Sequence, residues 1–63
     1  MWVIKEKFYE NQCYVGGMNE LPSGRVCPVF YDRVSAFRFP DEQTAQAVLK
    51  FLNRDNLEVI CIE

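Results

Sequence analysis

Cysteine is the residue type in this chain with the widest chemical scope, as a nucleophile or as a metal ligand. Cys13, Cys27 and Cys61 are separated by fourteen and thirty-four positions, and histidine is absent. Zinc sites use close pairs such as C-x2-C or cysteine with histidine, and a cysteine nucleophile usually needs a histidine base. The spacing therefore favours reduced thiols that pack as small hydrophobic groups, and it predicts neither a metal site nor a cofactor.

Acid–base and phosphate-binding chemistry have equally little support. Asp41 and Glu42 are the closest pair of carboxylates, but both suit the start of a helix, where the macrodipole favours negative charge. Gly16 and Gly17 lack the following helix and the Lys-Ser/Thr pair of a phosphate loop. Glycines inside a strand more often mark a bulge or a close approach of backbones. We therefore expect a non-enzymatic protein.

A basic and aromatic surface is the first candidate for binding. Lys5, Lys7, Tyr9 and Tyr14 alternate along two predicted strands, as in platforms that bind single-stranded nucleic acid. The formal net charge of −2 speaks against this function, and the same residues are ordinary for a solvated sheet face. Nucleic-acid binding through these four residues stays an alternative.

Aromatic residues supply the second candidate. The chain has nine of them, more than one short helix can cover. Tyrosine and arginine are favoured anchors of protein interfaces, although scattered exposed aromatic residues need no function. The expected partner-binding set consists of Tyr9, Tyr14, Tyr31, Arg33 and Phe37.

One helix, over about residues 41–53, organises the rest of the chain. Asp41 is a good N-cap, and the sequence from Asn53 onward ends the helical pattern. Four apolar residues with helical spacing form one stripe, which other segments must cover: Ala45, Val48, Leu49 and Leu52.

Two strands, Trp2–Tyr9 and Gln12–Met18, are predicted to form a hairpin with a two-residue turn, so that Lys7 lies opposite Tyr14. Alternation sorts their side chains between two faces. The face that covers the helix is expected to carry Trp2, Ile4, Phe8, Cys13 and Val15. The face that meets solvent or a partner is expected to carry Val3, Lys5, Lys7, Tyr9, Gln12, Tyr14 and Met18.

The remaining segments complete an α+β domain that spans residues 1–63. Pro28 restricts the segment 25–31 to an edge strand or an irregular extended piece. Residues 34–39 lead into the helix, with Ala36 small enough to sit beneath it. Residues 57–63 are predicted to return to the sheet as a well-buried strand beside the first. The expected fold is an antiparallel sheet of three to four strands with one helix on one face.

Charges and thiols indicate the compartment. Lys5, Glu6 and Lys7 interrupt any apolar run near the first residue, so we expect no signal peptide. No segment reaches the roughly 20 apolar residues that cross a bilayer. We expect a cytoplasmic protein that does not enter membranes. A domain this small gains from association, so a homodimer or structural component paired through an open sheet edge is a further alternative.

The pattern S-A-F-R-F-P-D-E-Q-T-A, from Ser35 to Ala45, follows a W-V-I-K strand and a C-Y-V-G strand. This arrangement resembles small uncharacterised proteins of bacteriophages and prophages. The resemblance implies an accessory protein in the host cytoplasm that binds and inhibits a host protein or defence complex, such as RNA polymerase, a nuclease or a CRISPR effector. It carries over no functional residue, because the matched positions are structural.

Overall fold

A computed structural model describes residues 1–62, which form a four-stranded antiparallel sheet with one α-helix on one face. The predicted α+β class is confirmed. The elements are β1 (Trp2–Glu6), β2 (Tyr14–Glu20), β3 (Val26–Tyr31), a 3-10 turn (Arg33–Ser35), α1 (Glu42–Leu52) and β4 (Leu57–Cys61). The strand order in the sheet is β3-β2-β1-β4.

Helix α1 begins and ends where its capping residues predict. The Asp41 carboxylate accepts a hydrogen bond from the Thr44 N–H at 2.7 Å. That bond holds the pKa of Asp41 below its usual value of 3.8. At the other end Asn53 is left-handed (φ 53°, ψ 51°) and donates its N–H to the Leu49 carbonyl, a geometry that asparagine tolerates. Within the predicted apolar stripe, Ala45 and Leu52 are buried, and Val48 and Leu49 are half-buried.

The main core lies between α1 and the sheet. Trp2, Ile4 and Val15 face the helix, as alternation predicted. Phe39 is only 5% exposed and packs against the same cluster. The buried members of this core are Ile4, Val15, Phe39, Ala45, Leu52 and Leu57.

A second, smaller core covers the other face of the sheet, so the prediction that this face meets solvent is wrong at Val3 and Tyr14. Cys13 also packs here rather than against the helix, and its thiol donates to the Tyr9 carbonyl. Ala36 does not lie beneath α1; the chain folds back after β3 and brings it to this face. The buried members are Val3, Cys13, Tyr14, Ala36 and Ile62.

The connection between β1 and β2 is longer than the predicted two-residue turn. Lys5, not Lys7, lies opposite Tyr14, a shift of two residues that leaves each β1 side chain on its predicted face. β1 ends at Glu6, although the Lys7 N–H still bonds to the Asn56 carbonyl before β4, and Gln12 takes a positive φ of 49° in the loop. Phe8, expected against the helix, is 86% exposed in this loop.

A bulge in β2 changes which side its later residues face. The pairing with β3 shifts between Val15 and Gly17, and one extra residue in a strand reverses the alternation beyond it. Met18, expected on the same face as Tyr14, therefore projects to the helix side. The prediction that glycines here mark a bulge or a close approach of backbones is confirmed on both counts, since a Cβ atom at Gly16 would lie 2.7 Å from the backbone oxygen of Ser35.

The two outer strands are β3 and β4. Pro28 does lie in an edge strand, as predicted, and pairs with Met18. β4 returns beside β1, also as predicted, with Val3 opposite Ile60. It is less buried than expected, because only Leu57 in it is fully buried. No helix within residues 1–62 is long and apolar enough to cross a membrane.

Candidate functional site

An apolar groove forms where β2 separates from β1. Beyond the bulge the two strands no longer pair, and the extended segment 37–39 lies between them. The Phe37 N–H donates to the Val15 carbonyl at 3.0 Å on the β2 side. On the β1 side, Phe39 and Trp2 exchange two backbone hydrogen bonds of 2.8 and 3.0 Å. The segment is thereby fixed at both ends as a short inserted strand.

This insertion brings two phenylalanine rings to the same opening. Phe37 and Phe39 have ring centroids 4.8 Å apart, with the ring planes tilted by 54°, a favourable aromatic geometry. Phe39 is nearly buried and forms the floor, whereas Phe37 is 56% and Met18 43% exposed on the rim. The groove has a volume of about 360 Å³ and is lined by Gly17, Met18, Phe37, Phe39 and Val48.

The expected partner-binding residues are divided among three places. Phe37 lines the groove on the helix side. Tyr31, which is 43% exposed, lies across Gly16 and Gly17 on the opposite side of the sheet, near the 3-10 turn that carries Arg33. Tyr9 is 59% exposed in the loop between β1 and β2. Tyr14 is only 8% exposed, so it has almost no side-chain surface for a partner.

The residues of the nucleic-acid alternative do not form a continuous platform. The Lys5 side chain is 13% exposed; its ammonium group donates to the Glu6 carbonyl at 2.8 Å and lies 3.9 Å from the Glu58 carboxylate. Tyr14 is buried beside it. Only Lys7 and Tyr9 are exposed, both in the loop that follows β1. The alternation of basic and aromatic groups seen in the sequence is therefore absent from the surface.

The three thiols are all free, with Cys13 buried, Cys27 half-buried and Cys61 exposed. Within residues 1–62 no three metal-ligating side chains come close enough to hold an ion. Two other clefts lie along the helix. One, of about 290 Å³, separates the end of α1 from the start of β3, and the other, of about 380 Å³, runs along the helix from Gln46 to Asp55.

Sequence reasoning found Phe37 but missed the rest of the groove: Gly17, Met18, Phe39 and Val48. Phe37 and Phe39 are two positions apart in an extended segment, which places both rings on one face. That spacing is a signal that the sequence already contains. Gly16 and Gly17 also predict the bulge, and one extra residue there reverses the alternation and turns Met18 toward the two rings.

Comparison of the chain with protein-family models, with curated proteins and with solved structures gave no match.

Proposed function

We propose that this protein is a non-enzymatic interaction module whose groove receives an apolar side chain of a protein partner. The observation that supports this most is the pairing of two exposed rim residues, Phe37 and Met18, with an apolar floor. Isolated exposed apolar residues are normal on any surface, but a contiguous concave set marks an interaction site more often.

The character of the rim favours a protein partner. Methionine is flexible and polarisable, so it adapts to different apolar shapes, and phenylalanine supplies a large contact area with little entropy to lose. The floor is rigid because Phe39 is held by two backbone bonds to Trp2. A rigid floor with an adaptable rim suits a hydrophobic anchor residue, of the kind that contributes most to binding in many interfaces.

The resemblance to small phage and prophage proteins supports a narrower form of the proposal. In that form the protein is a phage-encoded inhibitor or regulator, and its partner is a host protein or defence complex in the bacterial cytoplasm. The groove then acts by occupying a surface that the host protein needs.

Two exposed phenylalanines provide a matched test. Phe37 lines the groove, whereas Phe51 is 65% exposed on α1 and lies outside it. Tagged wild-type protein, Phe37→Ala and Phe51→Ala are used to capture proteins from a bacterial lysate, with and without nuclease treatment. We expect one stoichiometric protein with wild type and Phe51→Ala and its loss with Phe37→Ala. Retention by Phe37→Ala would exclude the groove as the binding site, and recovery that depends on nucleic acid would favour the alternative function.

A further inference from the structure

We propose that β4 is a self-association edge, along which a second copy of this chain pairs antiparallel about Val59. The inference rests on the sheet and not on the groove, so it is independent of the proposed function. The two outer strands, β3 and β4, each expose a row of unpaired backbone groups, and they differ in how that row is protected from pairing.

The hydrogen bonds of the inner strands fix which backbone groups point outward. Lys7 donates to the Asn56 carbonyl and Ile62 donates to the Met1 carbonyl, so the even-numbered residues of β4 bond to β1. Antiparallel pairing alternates bonded and non-bonded positions. The N–H and C=O groups of Leu57, Val59 and Cys61 therefore point away from the sheet.

The outer edge of β3 cannot pair with another strand along its whole length. Leu21 donates to the Arg25 carbonyl at the end of the β2–β3 hairpin. Because bonded and non-bonded positions alternate from there, the backbone N–H and C=O positions of Val26, Pro28 and Phe30 point away from β2. Proline has no N–H, so the middle of the β3 edge lacks a donor. This placement also explains how β3 accepts a proline without losing a bond to β2. β4 has no proline, no bulge and no lysine to interrupt its outward row. Its one charged residue, Glu58, directs its backbone groups toward β1 and its carboxylate toward Lys5.

The outward residues of β4 are self-complementary. Pairing about a two-fold axis at Val59 places Val59 opposite its own copy and Leu57 opposite Cys61 of the copy. Glu58 then lies opposite Ile60, so like charges do not face each other. Within each chain the Lys5 ammonium group lies 3.9 Å from the Glu58 carboxylate. This pairing reduces the repulsion between the Glu58 carboxylates of the two copies.

A cleft opens just before β4 in the chain. It has a volume of about 380 Å³, runs along α1 and includes Asn53, Arg54 and Asp55. In the register about Val59 the end of the copy's strand lies opposite Leu57, two positions after Asp55. The paired sheets would form one eight-stranded sheet with β3 at each outer edge.

Matched proline variants test the edge. Val59→Pro removes an outward donor on β4, and Val26→Pro removes an outward donor on β3, so neither breaks a bond inside the sheet. Molar mass is measured by sedimentation equilibrium over a concentration series, with reductant present to exclude linkage through Cys61. We expect wild type and Val26→Pro to approach twice the chain mass of 7.4 kDa, and Val59→Pro to remain a monomer. A monomeric wild type, or loss of the dimer in Val26→Pro, would overturn the proposal.

A measurement on the wild-type chain keeps the test valid if Val59→Pro does not fold. In a sample that mixes isotope-labelled and unlabelled protein, we expect an intermolecular Hα–Hα NOE between Glu58 and Ile60, whose Cα atoms would lie about 4.5 Å apart across the two-fold axis. Within one chain, Glu58 and Ile60 are two positions apart in an extended strand, too far for that signal. A dimer that lacks this NOE would show that another surface is used.

Discussion

Replacing Gly16 with alanine tests the account of the bulge and of the chain that folds over it. A Cβ atom at Gly16 would overlap Cδ2 of Tyr31 and would lie 2.7 Å from the backbone oxygen of Ser35. The distance to Ser35 falls 0.7 Å short of the 3.4 Å at which ordinary contact begins. The Tyr31 ring is partly exposed and can swing outward. The Ser35 carbonyl has less freedom, because the flanking segment is held by Asp32 and by the bond from Phe37 to Val15.

The loss of unfolding free energy in Gly16→Ala depends mainly on the Ser35 carbonyl, which cannot move aside as the Tyr31 ring can. Overpacking at a well-filled site costs about 1–3 kcal/mol, and the fixed Ser35 oxygen places Gly16→Ala in that range. For a domain of this size each kcal/mol lowers Tm by about 4–8 °C. Gly17→Ala is the matched control, since its Cβ would meet Tyr31 only at 3.8 and 4.0 Å. We expect Gly17→Ala to stay within about 1 kcal/mol of wild type, because alanine also lowers the entropy of the unfolded chain.

Urea unfolding followed by circular dichroism measures both free energies. Tyr31→Ala added to Gly16→Ala should recover only part of the loss, because it removes the ring contact and leaves the Ser35 contact. Equal stability of Gly16→Ala and Gly17→Ala would refute the close approach of the 3-10 turn to β2. Full recovery in the double variant would show that the Ser35 segment is free to move.

Two further substitutions test the second core and the helix cap. Tyr14→Ala should cost about 3–5 kcal/mol of unfolding free energy, the usual range for a buried aromatic side chain. In thermal unfolding, Tyr14→Ala should lower Tm far more than replacement of the exposed Phe37 by alanine. Equal decreases in Tm would contradict the burial of Tyr14. The hydrogen bond from Thr44 lowers the pKa of Asp41 in the folded state. The ionised Asp41 therefore stabilises the fold above pH 3.8, and this stabilisation is lost as the pH falls through the lowered pKa of the folded state. Asp41→Asn should therefore have a flatter stability profile than wild type in this acid range, and identical profiles would contradict the cap.

Local patterns account for the parts of the fold that the sequence predicted. Asp41 and Asn53 mark the ends of α1 through backbone groups a few residues away, so a linear reading reaches them. Pro28 limits its strand to an edge for an equally local reason. The return of β4 to β1 was accessible because a short β-branched run after the helix has few other places to pair.

The errors come from contacts between distant segments. β1 pairs along its whole length with the distant strand β4 and with β2 only at Lys5 and Tyr14, and no local pattern indicates this division. Tyr14 is buried because Ala36 returns to cover it. The groove depends on segment 37–39 entering between β1 and β2, which requires the bulge at Gly16 and the separation of the strands together. A binding site formed by such an insertion becomes visible only when the topology is known.

The central claim is that the groove bounded by Met18, Phe37 and Val48 receives an apolar group of a protein partner. Methyl NMR measures this most directly, with the protein labelled at methionine and valine methyl groups and titrated with the captured partner. We predict that the Met18 and Val48 signals shift or broaden, whereas the signal of Val34, 80% exposed in the 3-10 turn, stays unchanged. Unchanged Met18 and Val48 signals at saturation, with shifts at Val34 instead, would contradict the account.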